Sequence, residues 1–144
     1  MGFKAVDIAD YIVSHCIDTI PISNLQLNKI LYFVQRNFLQ NFDSENGLFE
    51  EDFQAWQLGP VLPEVYYKYC AFGGMHILLK PQNLVEIPYP IKQKINFIVD
   101  QYSGKNPWDL VNETHKPEGA WAKVYQNGYG IHNIISKPLI KALG

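Results

Sequence analysis

The chain has 144 residues, of which 47% are hydrophobic, 14% aromatic and 18% charged, with a formal net charge of −2. That length suits one domain with a core large enough to fold without a disulfide or metal staple. The absence of any Lys/Arg cluster removes the footprint of a nucleic-acid binder, and no apolar stretch approaches the ~18 residues of a membrane span.

Asp7, Asp10, His15 and Asp18 interrupt what would be the apolar core of a signal peptide. Cys16 and Cys70 are far apart and form no CxxC, so free, buried thiols in a cytoplasmic protein are expected.

Residues 3–20 read as a first helix, with Val6, Ala9, Ile12, Val13, Cys16, Ile17 and Ile20 on one face and Pro21 ending it. A second helix over roughly residues 24–40 has the best start signal. Ser23 and Gln26 have capping-box spacing, and Ile22 and Leu27 are spaced as a hydrophobic staple. Leu27, Ile30, Leu31, Val34 and Phe38 continue as a stripe, which predicts the central helix. Asn46-Gly47 is a turn, and Glu50-Glu51-Asp52 reads as a solvated acidic loop or equally as one that steers a basic partner.

Phe53–Trp56 reads as a strand edge or an extended segment, and Gly59-Pro60 breaks any regular structure. Pro63 starts a third helix, with Val65, Tyr66, Tyr69 and Phe72 on its apolar side, and Gly73-Gly74 stops it. Residues 75–90 predict a hairpin-like or irregular connection. Pro90 opens a fourth helix closed by Ser103-Gly104, and Asn106-Pro107 opens a fifth that runs to Thr114. Gly119-Ala120-Trp121 leads a short helix through Tyr125, and Gly128-Tyr129-Gly130 is a turn. A strand within 131–135 and a last helical turn at Pro138 follow. The expectation is one mainly α domain over residues 1–144: five to six short helices around a central helix, with at most a small hairpin or sheet.

The residues that carry enzyme chemistry are not arranged for it. His15, His76, His115 and His132 show no helical metal-pair spacing, and there is no phosphate loop, dinucleotide glycine fingerprint or nucleophile elbow. Cys70 with His76 or His115 is the one conceivable nucleophile pair. Cys70 falls near a helix end, whereas activated thiols favour helix starts, so a core thiol is the plainer reading. No catalytic residue, metal or cofactor is therefore expected.

Two stretches stand out. In the first, from Glu51 to Tyr66, Gly59 permits a sharp turn, Pro60 fixes the next dihedral and Pro63 starts a helix. This predicts a rigid corner presenting Trp56 on one side and Tyr66 or Tyr67 on the other. In the second, from Leu110 to Trp121, Thr114 and His115 end one helix and Trp121 begins the next. Trp121 is expected to pack under the break.

Together with Leu27-Asn28-Lys29-Ile30-Leu31-Tyr32-Phe33-Val34-Gln35, the segments Phe53–Val61 and Leu110–His115, with Gly119 and Trp121, resemble the Panacea family of SocA-like and phage-associated GepA-like proteins. The resemblance spans roughly residues 5–126. Its most specific part is the Ala55-Trp56…Gly59-Pro60-Val61 segment followed by a Tyr-rich helix. Leu58 and Gln57 depart from the aromatic and basic residues common there.

The resemblance implies a mainly α antitoxin domain of prophage and toxin–antitoxin operons. Such a domain neutralises a toxin encoded by an adjacent gene through direct protein contact. It supplies no catalytic residues, and no further DNA-binding domain is visible. Trp56, Gly59, Pro60, Tyr66, Tyr67, His115 and Trp121 are the expected partner-binding residues. A protease adaptor or other phage interaction module is the alternative, and a metal- or Cys/His-dependent enzyme a more distant one.

Overall fold

The computed structural model describes residues 2–42 and 44–144, and among them places seven α-helices, two 3-10 turns and three short strands. The helices are α1 (Ala5–Asp18), α2 (Asn24–Asn41), α3 (Pro63–Tyr69), α4 (Tyr89–Tyr102), α5 (Pro107–Thr114), α6 (Ala120–Tyr125) and α7 (Lys137–Leu143). The strands are β1 (Phe53–Trp56), β2 (Gly59–Val61) and β3 (Ile134–Ile135).

α2 is the axis. Its start is the predicted capping box: Ser23 Oγ accepts from the Gln26 N–H at 3.3 Å, and Gln26 Oε1 accepts from the Ser23 N–H at 2.8 Å. Thirteen of its 18 residues are buried, so it is enclosed on nearly all sides rather than along one stripe. α1, α3, α4, α5, α7 and β2 all pack against it. Each buried Leu, Ile or Phe contributes about 1.5–3 kcal/mol, and Leu27, Ile30, Leu31, Phe33 and Phe38 are all at or below 1% exposure.

The polar residues of α2 are buried as well, and they tie down loops. Gln35 Nε2 donates to the carbonyls of Asn46 (2.8 Å) and Phe49 (2.9 Å), while its Oε1 accepts from the Leu48 N–H (2.8 Å). One side chain thereby satisfies three backbone groups of the connection into β1, as a neighbouring strand would.

The sheet is antiparallel in the order β2-β1-β3. β1 alternates as a half-buried strand does: Phe53 and Ala55 are buried, Gln54 and Trp56 half-buried. Trp56 pairs with Gly59 and Ala55 with Pro60, leaving Gln57 and Leu58 as a two-residue tip.

The mainly α architecture matches the sequence reading, with differences of extent. α1 stops at Asp18, so Ile20 lies beyond the helix and is 47% exposed instead of facing the core. The predicted last helical turn is a whole helix, capped by Ser136 accepting from the Leu139 N–H, which brings the count to seven. The strand within 131–135 is only Ile134–Ile135, because residues 129–133 form turns; one of these still donates from His132 N–H to Ala55 O at 2.7 Å. α3 gives way at Cys70 to a 3-10 turn; Cys70, off the face that Val65 and Tyr69 bury, is exposed rather than buried, and Phe72 is half-buried. The acidic run is not simply solvated: Glu51 accepts from the Ala5 N–H at 3.0 Å, and Asp52 pairs with Lys137 at 2.6 Å. The predicted polar connection at 41–47 includes Asp43, which lies outside the described residues.

Candidate functional site

Four side chains meet alternate residues of the corner. Trp121 Nε1 donates to the Trp56 carbonyl at 2.8 Å. The His115 ring faces the backbone of Leu58, which favours its protonated form. Lys29 Nζ donates to the Pro60 carbonyl at 3.1 Å. Asn28 Oδ1 accepts from the Leu62 N–H at 3.0 Å. These residues come from α2, from the C-cap of α5 and from α6. The three sequence segments singled out above thus meet at one place.

Local chemistry explains how each group gets there. Thr114 turns its hydroxyl back onto the Val111 carbonyl at 2.8 Å, and the His115 N–H closes onto Val111 and Asn112, so α5 ends with the His115 ring free to point at the corner. That ring stacks on Trp121 at 3.7 Å between centroids and 3° between planes, and Trp121 stacks on Tyr125 at 4.5 Å. Trp121 is only 8% exposed. It does pack under the break, as expected, and donates its one N–H across it.

Gly59 is wedged into this frame. Its φ is +118°, and a Cβ there would lie 2.7 Å from Thr114 Oγ1 and 2.8 Å from Lys29 Cε. Both the dihedral and the space require glycine. Pro60 is buried beside it.

Two cation-capable groups meet under the corner. Lys29 is fully buried, and that burial pulls its pKa down to about 7. His115 is held below the usual histidine value, first by burial and then by the charge of Lys29, with the Leu58 backbone opposing. His115 Nε2 is buried without a hydrogen-bond partner.

The outer side is aromatic. The Trp56 ring lies 5.0 Å from Tyr66, 6.5 Å from Tyr67 and 5.1 Å from His132, all tilted or edge-on, and Tyr66 meets Tyr67 at 5.5 Å. Trp56 and the two tyrosines therefore form one cluster instead of flanking opposite sides of the corner. Register explains this: the hairpin folds β2 back along β1, and α3 follows within two residues, returning its first turn to the Trp56 ring. Tyr67 is 64% exposed, whereas Trp56 and Tyr66 are half-buried. His132 takes φ of +68°, uncommon for a non-glycine residue, and so sets its ring against Trp56.

Of the seven expected partner-binding residues, Gly59, Pro60, His115 and Trp121 build the frame, while Trp56, Tyr66 and Tyr67 reach the surface. Asn28, Lys29 and His132 belong to the site and were not singled out from sequence. Their one sequence signal is that Asn28 and Lys29 fall inside the first family-like segment. A cavity of about 360 Å³ opens beside the corner, with Asn24, Asn28, Lys29, Trp56, Leu58 and Tyr66 in its wall.

The nucleophile pairing weighed above is absent: the Cys70 thiol donates to the Tyr67 carbonyl at 3.2 Å, not to a histidine. No group of three or more His, Cys, Asp or Glu among the described residues is placed to hold a metal ion. No helix among them is long and apolar enough to cross a membrane.

A mainly helical domain built around a side-chain-pinned hairpin corner is the class that fold and site define. The chain belongs to the antitoxin SocA-like, Panacea domain family, whose sequence model matches residues 27–122 and so takes in α2, the whole corner and Trp121. It is 30% identical to Antitoxin SocA of Caulobacter vibrioides (strain NA1000 / CB15N), over 64% of this chain and 61% of that protein. The chain thus matches less than two thirds of its relative's length. No solved structure gives a significant match.

Proposed function

We propose that this protein is a cytoplasmic, non-enzymatic antitoxin, a single domain over residues 1–144, which neutralises a protein toxin encoded by an adjacent gene through direct contact. The aromatic cluster of Trp56, Tyr66 and Tyr67, with His132, is its contact face. One observation carries the reading: half-exposed aromatic rings are gathered on a corner that buried groups hold rigid, beside a site with no paired nucleophile and base. Rigid aromatic anchors of this kind concentrate binding energy because little side-chain freedom is lost on contact. Membership of an antitoxin family supports the same reading.

Co-expression with the product of the neighbouring gene tests it. Growth rescue and co-purification are expected. Tyr67→Ala, at an exposed position, is expected to leave the melting temperature within a degree or two and to weaken the complex by tenfold or more. Rescue without a complex, or a Tyr67→Ala variant of undiminished affinity, argues against this contact face.

A further inference from the structure

The corner buries an amine that no carboxylate among the described residues pairs with. Lys29 is completely buried, and of the three N–H bonds an ammonium can donate, one finds an acceptor, the Pro60 carbonyl. Other lysines with partly buried side chains are treated differently: Lys137 meets Asp52 and Lys68 meets Asp10, each at 2.6 Å. None of the ion pairs among the described residues includes Lys29. An uncompensated buried charge is costly wherever it is kept. Next to it, His115 Nε2 is buried and has no partner.

Lys29 forms part of the wall of the 360 Å³ cavity. Lys29 shares the polar side of its wall with Asn24 and Asn28, and Leu25, Leu58 and Val61 line the apolar side, closed by the Trp56 and Tyr66 rings. Both asparagine amides are already engaged: Asn28 Nδ2 donates to Asn24, and Asn24 Nδ2 donates to the Tyr66 carbonyl. Lys29 is the one side chain in this wall that can carry a positive charge, and one of its three donors has an acceptor there. A site with an apolar body, aromatic walls and one convergent cation matches a definite ligand chemistry.

We propose that this cavity binds a carboxylate-bearing ligand with an apolar body, whose carboxylate supplies the counter-charge to Lys29. Because no part of Lys29 is open to solvent, the ligand reaches it past Leu58, which is 40% exposed at the hairpin tip. The carboxylate comes either from a free small acid or from a chain terminus of a partner protein, and the chemistry at Lys29 is the same. The other titratable groups around this space are His115 from the end of α5, Tyr66 from α3 and Cys70 from the turn that follows it. The inference does not depend on the antitoxin reading, since its probes need no toxin.

Binding has a proton signature. Burial leaves Lys29 with a pKa of about 7, so at about pH 8 it is mostly neutral, and an arriving carboxylate restores its proton. Calorimetry of the whole chain with phenylacetate at about pH 8, in two buffers of different ionisation enthalpy, reads this directly. The expected result is saturable binding with uptake of up to about one proton per ligand. Phenylacetamide is expected to bind at least tenfold more weakly, and Lys29→Met to abolish the proton uptake. A pentapeptide ending in phenylalanine, with a free or an amidated terminus, distinguishes the source. Binding of the free-terminus peptide alone assigns the carboxylate to a partner protein, and binding of phenylacetate assigns it to a small acid. The proposal is overturned if neither probe binds saturably, if binding takes up no proton, or if the amide binds as well as the acid. The amide and proton readouts use the unmodified protein, so they decide the matter even if Lys29→Met fails to fold.

Discussion

The corner at residues 56–62 and the strap at residues 73–88 both lack long regular structure, and they are held in opposite ways. The corner is hydrogen-bonded through its backbone at residues 56, 60 and 62 by side chains of α6 and α2, and the His115 ring faces it at residue 58. The strap is tied at a few separate points. Ile77 and Ile87 are buried, the Ile77 N–H donates to the Ile22 carbonyl at 2.8 Å, and Lys80 pairs with Asp18 at 2.7 Å. Between those points Leu78, Leu79, Leu84 and Val85 are exposed. An irregular segment therefore becomes rigid when buried side chains satisfy its peptide groups. A few widely spaced anchors leave the peptide groups between them without such partners.

Removing pins measures how rigid the corner is. Trp121→Ala is expected to cost most, about 3–5 kcal/mol in denaturant unfolding, because a large buried ring is lost and the Trp56 carbonyl loses its donor. A near-neutral result would mean that the stack of His115, Trp121 and Tyr125 does not support the corner. Gly59→Ala comes next, at roughly 2–3 kcal/mol, since it combines a strained dihedral with contacts to Thr114 and Lys29 that must shift. An unchanged melting temperature would refute that account.

The third prediction concerns pH. Lys29 titrates near 7 when folded and near 10.4 when unfolded, so between those values the unfolded chain binds more protons. Stability is therefore expected to rise as pH climbs from about 7 towards about 10, by up to ~1.4 kcal/mol per pH unit from this group, and to carry the full cost of the buried charge below about 7. Urea unfolding of the parent and of Lys29→Met across this range checks it: the variant should lose that slope. The smallest effect belongs to the strap. Leu79→Ser, at a side chain 73% exposed, should change stability by no more than about 0.5 kcal/mol. A larger loss would show that the strap is packed after all, and the contrast with the corner would weaken.

Local signals in the sequence carried the fold further than the site. The Ser23–Gln26 capping box, Pro63 and Pro107 at helix starts, and the alternation of Phe53–Trp56 are all short-range features, and the structure contains each of them. The glycine at 59 was legible for the same reason: its constraint lies in its own dihedral. Lys29 was not legible. A lysine in a helix ordinarily reads as a solvated face, and its acceptor lies 31 residues further along the chain. Gln35 and Asn28 escaped for the same reason: in a helix enclosed on all sides, polar residues serve distant loops, and the hydrophobic stripe does not show this. Cys70 is no core thiol because it follows Tyr69 by one residue, about 100° around the helix from the face that Val65 and Tyr69 bury. Trp56, Tyr66 and Tyr67 were read as anchors but assigned to opposite sides, since a hairpin's register is not visible until its two strands are paired.

The alternate pinning of the corner has a consequence for how a partner meets it. The hydrogen bonds originate in α2 and α6, so the hairpin backbone cannot swing away without breaking all of them at once. The amides of Ala55 and Leu62 should therefore exchange with solvent more slowly than those of the strap. A partner that docks on Trp56 and Tyr67 encounters a surface already in its final shape. At the contact face proposed above, the expected association is rigid-body docking, with little ordering to slow the on-rate or to subtract from the affinity.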